Sequence, residues 1–230
     1  MTQDRPRRAV ALLLTLGTLT YSAWALEAFL PTNLPPTSTY VSELAALDQP
    51  DGALFRTTDL IAGMLLSAAA LTALRPRTAL SPRTSRWETT GWSALTLFGA
   101  ATAADSRLPM SCAPTMNALC ARRERAGALP LTHQAHAASS MIAMCAALAA
   151  LASLTYTFRH DAPSSALSRY GPWLALLALA ATAWTLTAIA HTAQGDTAWL
   201  GTAQRLQLTI LATWLLLLAR RSAQRSAHRR

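Results

Sequence analysis

This 230-residue chain contains no lysine, so its formal charge of +9 is carried by arginine alone. Charge of either sign is scarce, at 13% of residues, while 52% are hydrophobic. With a mean hydropathy of +0.23, that shortage argues against an ordinary soluble domain and for a protein of several membrane spans. No Gly-rich phosphate loop, nucleophile-elbow serine or HExxH motif is present. A pI near 10.9 raises nucleic acid as a partner. The arginines, however, stand at the ends of apolar runs rather than on one soluble face, so they read as topogenic charge facing anionic lipid, with no nucleic acid involved.

What is present is six apolar stretches with charge of alternating sign between them. Of the 20 Arg, 14 fall before the first stretch, after the second and fourth, and after the sixth. Of the 11 acids, 8 fall in the other gaps: Glu27, Glu43, Asp48, Asp51, Asp59, Asp105, Glu124 and Asp196. Arginine excess marks cytoplasmic loops, which places both termini in the cytoplasm. The expected fold is all-α, a single bundle of six transmembrane helices. Counting roughly 20 residues per span from each arginine anchor puts the spans at about 9–28, 55–74, 85–104, 139–158, 172–191 and 200–219. Residues 1–8 and the basic tail 220–230 are then cytoplasmic, and 29–54, 105–138 and 192–199 are exoplasmic loops. Gly171-Pro172 reads as the start of the fifth span. Tyr40 to Leu47 reads as a short interfacial helix closed by the turn signal Asp48-Gln49-Pro50-Asp51-Gly52. Ala23-Trp24-Ala25, after a basic start and an apolar run, also resembles a signal-peptidase site, so retention and cleavage of the first span both stay open.

Only three cysteines occur. Cys112 and Cys120 share the second exoplasmic loop, where an oxidising compartment allows a disulfide; two unpaired thiols are the alternative. Cys145, in the middle of the fourth span, reads as a small buried apolar residue.

Glu27, Ser42, Glu43, Asp59, Asp105, His133, His136, His191 and Arg205 all count to the exoplasmic boundary or just beneath it. Charges inside the apolar layer normally face a bundle interior or a cavity and are paired. Asp59 and Arg205 count to nearly the same depth with opposite sign. They fit either an outward pocket for a polar headgroup or an ion pair locking the second span to the sixth. His133 and His136 stand one helical turn apart, and with Asp105 or His191 could hold a metal that activates water. Hydrogen-bonded rim histidines account for the same spacing, and no cofactor is expected. Gly63 and Gly99 read as sites of close helix packing.

Tyr40-Val41-Ser42-Glu43-Leu44, Phe55, Asp59-Leu60-Ile61-Ala62-Gly63, Asp105, His136 and Gly201-x-x-x-Arg205 resemble the family catalogued as domain of unknown function 998. Leu108 to Pro114 is similar to the Cys-containing loop of its actinobacterial members. The resemblance covers nearly the whole chain and implies a multi-pass prokaryotic membrane protein; the family brings no established activity. Alanine and arginine richness without lysine points to a high-GC bacterial source. Two function classes follow. One is a non-enzymatic membrane protein whose exoplasmic pocket binds a lipid headgroup or a small polar ligand. The other is an exoplasmic-face lipid hydrolase or transferase using the His and Asp residues, with or without zinc. Membrane lipids are the expected partners in both.

Overall fold

The computed structural model describes residues 4–75, 85–161, 163–192 and 199–227. The topogenic residues Arg77, Arg83, Asp196, Arg229 and Arg230 lie outside the described residues.

Seven α-helices and two 3₁₀ segments carry the described chain, and no strand occurs among the described residues. The helices are α1 (Asp4–Tyr21), α2 (Gly52–Leu74), α3 (Arg86–Asp105), α4 (Ala118–Arg125), α5 (Leu131–Asp161), α6 (Ala166–Thr192) and α7 (Leu200–Ala227). The 3₁₀ segments are Ser22–Phe29, which prolongs α1, and Val41–Ala45, which precedes α2. Five stretches are long and apolar enough to cross a membrane: Pro6–Phe29, Gly52–Leu74, Leu131–Asp161, Ala166–Thr192 and Leu200–Gln224. The exception among the long helices is α3. Its 20 residues would reach about 30 Å, but Arg86, Glu88 and a run of Thr, Ser and Gly dilute its apolar character.

Each long helix packs against two others, in the ring order α1, α2, α3, α5, α6, α7 and back to α1. Leu14, Leu66, Phe98, Leu154, Trp214 and Leu218 fill the interior. Threonines are tolerated in these helices because their hydroxyls bond back to carbonyls of the preceding turn, as Thr18 does to Leu14, Thr102 to Phe98 and Thr157 to Ser153, so these hydroxyls are satisfied within their own helices. Polar ties also join neighbours: Trp214 Nε1 donates to Thr155 Oγ1 at 3.1 Å, and Gln207 Nε2 to Thr182 Oγ1 at 2.7 Å.

Glycine sets the closest crossing. A Cβ on Gly63 would stand 2.5 Å from the Ala103 backbone nitrogen, and one on Gly99 would stand 2.7 Å from that of Ser67. Helices α2 and α3 therefore meet backbone to backbone, as their small residues suggest.

Several helix limits differ from the counts. Helix α6 begins at Ala166, with Pro172 inside it. As the seventh residue of α6, Pro172 lies past the first turn and cannot supply the N–H that would otherwise bond the Ser168 carbonyl. Gly171 serves packing instead, since a Cβ there would meet Thr155 Cγ2 at 2.6 Å. Helix α5 begins at Leu131, directly after Pro130, and so takes in both His133 and His136. Cys145 is exposed on the outer surface of the bundle rather than buried in it.

Candidate functional site

The polar residues gather at one end of the bundle, in three groups. The first joins the two ends of the chain. Arg205, one turn into α7, holds Glu27 of the first 3₁₀ segment with two hydrogen bonds: Nε to Oε1 at 2.6 Å and Nη2 to Oε2 at 2.5 Å. Nη1 donates to the Thr39 and Gly201 carbonyls. Both side chains are largely buried, 7% exposed for Glu27 and 11% for Arg205. The loop before Tyr40 lies across the start of α7, where the Thr37 carbonyl accepts from the Gly201 and Thr202 amides. Gly201 is required there, because a Cβ would stand 2.6 Å from the Thr39 carbonyl oxygen. Asp59 is thus not the partner of Arg205. Helix α1 stands between α2 and α7 in the ring, and its own continuation supplies the carboxylate.

The second group clamps two loops together. Glu43 is fully buried and accepts from the Tyr40 amide at 3.0 Å, the Thr115 amide at 2.8 Å and the Thr115 hydroxyl at 2.5 Å. Burial pushes its carboxyl above the usual glutamate range, against those hydrogen bonds, which pull it down. Leu47 and Asp48 add bonds to the same partner loop, through the Met110 carbonyl and the Ala113 amide. Ser42 lies against Met110 Sδ at 3.4 Å. Cys112 and Cys120 form a disulfide in this loop, with Cα atoms 6.1 Å apart. His133, buried in the first turn of α5, accepts the Ser111 amide at Nδ1, 2.9 Å, and places Nε2 3.3 Å from Glu124.

The third group is centred on Asp105, the last residue of α3. One oxygen, Oδ1, accepts from Ser139 and lies 3.2 Å from His136 Nδ1. The other, Oδ2, accepts from Ser140 at 2.5 Å. The same His136 nitrogen meets the Leu108 carbonyl at 3.0 Å, and a carbonyl can only accept, so Nδ1 carries a proton. His136 Nε2 faces Ser140 Oγ at 3.5 Å. Asp59 lies within electrostatic range of Asp105 and His136, and the Tyr21 hydroxyl within range of both carboxylates. The Gly63–Gly99 crossing explains this placement: Asp59 stands one turn before Gly63, and Asp105 follows Ala103, which Gly63 touches.

The family model described as Protein of unknown function (DUF998) matches residues 15–221. The chain belongs to the DUF998 family. Neither a curated protein nor a solved structure matches it. The DUF998 match runs from within α1 to within α7 and includes all three polar groups.

Of the candidates read from the sequence, Asp59, Asp105 and His136 come together. Glu27 and Arg205 pair with each other, and Ser42 and Glu43 belong to the loop clamp. His191 lies exposed at the last turn of α6. The two histidines do not converge: both nitrogens of His133 are engaged away from His136, and no group of three His, Cys, Asp or Glu side chains among the described residues is placed to hold a metal. Ser139 and Ser140 were missed. The available signal was their spacing, three and four residues after His136 and hence on its helical face.

Proposed function

We propose that this DUF998 protein spans a bacterial cytoplasmic membrane six times, with both termini in the cytoplasm, and that the Asp59–Asp105–His136 group faces the exoplasmic side and binds a lipid headgroup or a small polar ligand. Helix α3 supplies the third span in this reading, beside the five long apolar stretches. It has the length of a crossing and packs between α2 and α5, which lessens its need for apolar surface toward lipid. The alternation of arginine-rich and acidic gaps supports the orientation.

The observation that carries the binding reading is Asp59. It sits in an apolar segment beside the Asp105–His136 pair and forms no salt bridge among the described residues. A carboxylate in such a layer is costly and is characteristically kept for function. Two carboxylates, two hydroxyls and one imidazole make an acceptor-rich site, suited to a headgroup bearing ammonium or hydroxyl donors. Native mass spectrometry of the purified protein tests this. Wild type should retain a defined lipid or polar molecule that Asp59→Asn and Asp105→Asn lose. Equal retention by all three would reject the site.

A further inference from the structure

We propose that Ser140 is the nucleophile of an acyl-transfer site, with His136 as its general base, Asp105 as the positioning residue and a membrane-lipid ester as substrate. The substrate assignment rests on the lipid-binding reading above; the nucleophile assignment rests on the geometry alone.

Ser140 follows His136 by four residues on α5, so both project from one face. The imidazole is oriented from its far side. Its Nδ1 proton lies between the Leu108 carbonyl at 3.0 Å and Asp105 Oδ1 at 3.2 Å. In the neutral ring the lone pair then resides on Nε2, the nitrogen facing Ser140 Oγ. Carboxylate, imidazole and hydroxyl stand in the order that activates a serine: a base next to the nucleophile, and a third group orienting the base. The 3.5 Å separation of Oγ and Nε2 is long, and such contacts tighten when substrate binds. At rest the Ser140 hydroxyl donates to Asp105 Oδ2. Rotation of the hydroxyl hydrogen turns it toward Nε2 with little heavy-atom movement.

Ser139 is the poorer candidate, although it too touches Asp105. It is buried, and its hydroxyl lies against the main-chain carbonyl of His136 rather than the ring. Ser140 is only partly buried.

The reaction balances with water as the sole co-reactant. Ser140 Oγ attacks the ester carbonyl carbon, and its proton passes to His136 Nε2. Collapse of the tetrahedral intermediate breaks the bond between the acyl carbon and the alcohol oxygen. Nε2 returns the proton to that departing alcohol. Water, deprotonated by the same nitrogen, then attacks the acyl carbon; the bond from that carbon to Ser140 Oγ breaks, and Nε2 returns the proton to Oγ, giving a carboxylic acid and free Ser140.

The test uses the full chain in detergent with a long-chain alkyl fluorophosphonate, read by intact-mass and peptide mass spectrometry. Wild type should gain one adduct, on Ser140, and Ser140→Ala none. His136→Gln should label about a hundredfold more slowly or less, the usual scale of general-base assistance. Asp105→Asn should lower the labelling rate and Asp105→Glu, which keeps the carboxylate, should recover part of it, a rescue that a merely structural defect would not show. Thermal melts establish that each variant is folded. Should Ser140→Ala fail to fold, Ser140→Cys in a Cys145→Ser background replaces it: alkylation of the new thiol by iodoacetamide should slow when His136→Gln is added. An unlabelled Ser140 in folded wild type, or a labelling rate indifferent to His136→Gln, overturns the assignment. Retained lipid without an adduct removes the nucleophile and leaves the binding reading standing. An adduct without retained lipid keeps the nucleophile and removes the lipid.

Discussion

Arg205 and Glu27, 178 residues apart in sequence, form a two-bonded ion pair that closes α7 onto the continuation of α1. Around it, Arg205 Nη1 ties down the Thr39 carbonyl and the Thr37 carbonyl caps α7. One guanidinium therefore sets how the first outer loop lies over the bundle.

Removing one partner of this pair leaves a largely buried charge uncompensated, which typically costs about 3–5 kcal/mol, whereas removing both is milder. Glu27→Gln and Arg205→Gln alone should each lower the melting temperature in detergent more than the double variant does. Asp59→Asn should show no coupling to Arg205→Gln. A double-mutant cycle measures both statements; coupling of Arg205 to Asp59 in place of Glu27 would refute the pairing.

Glu43 gives stability a pH dependence of known sign. Its carboxyl titrates higher folded than unfolded because burial raises it. The folded state therefore holds the proton longer, and this group's contribution to stability declines as pH rises above the unfolded value of about 4.5, by at most ~1.4 kcal/mol per pH unit. Glu43→Gln should lower stability at every pH, since it replaces an acceptor of three donors, yet flatten that part of the curve. Melting curves taken across the acid range decide it; an unchanged slope would mean that Glu43 does not titrate as described.

The Cys112–Cys120 disulfide closes a short loop, so its loss should cost only ~2–3 kcal/mol. Its structural effect should be wider, because the same loop supplies Thr115 to Glu43 and Ser111 to His133. Cys112→Ser with Cys120→Ser should raise hydrogen exchange at the Thr115 and Ser111 amides while sparing the helices. Mass spectrometry without reductant should find the two cysteines linked; two freely alkylated thiols in native membranes would contradict the pairing.

Gly99→Ala should destabilise by more than the ~1–3 kcal/mol usual for overpacking, since its new methyl meets Ser67 backbone rather than a yielding side-chain tip. It should also separate α2 from α3 and weaken any ligand held between Asp59 and Asp105. A Gly99→Ala protein with an unchanged melting temperature would show that the crossing is looser than it stands here.

Much of the all-helical fold was legible because long apolar runs favour helices of membrane-crossing length, although α7 continues past Arg220 and Arg221 to Ala227. The close packing of Gly63 and Gly99 was readable for a related reason, small residues one face apart from larger ones. The true partner of Arg205 was not readable, because depth along a helix says nothing of which helices are neighbours. Only the ring order, with α1 between α2 and α7, directs Arg205 to Glu27. The true extent of α5 escaped the count for a different cause. A span is counted by its apolar run, while a helix continues into water wherever its backbone is capped, and α5 runs back to Pro130. That continuation is what brings His136 onto the face where Ser139 and Ser140 meet Asp105.

Topology mapping decides whether the Asp105 group stands at the exoplasmic end of a six-span bundle. Reporter insertions after Asn117, and fusions after Arg75 and Arg225, each carrying a tag active on only one side of the membrane, fix the side of three points. The expected result is an exoplasmic reading at Asn117 and cytoplasmic readings at Arg75 and Arg225. A cytoplasmic Asn117, or an exoplasmic C-terminus, would contradict it.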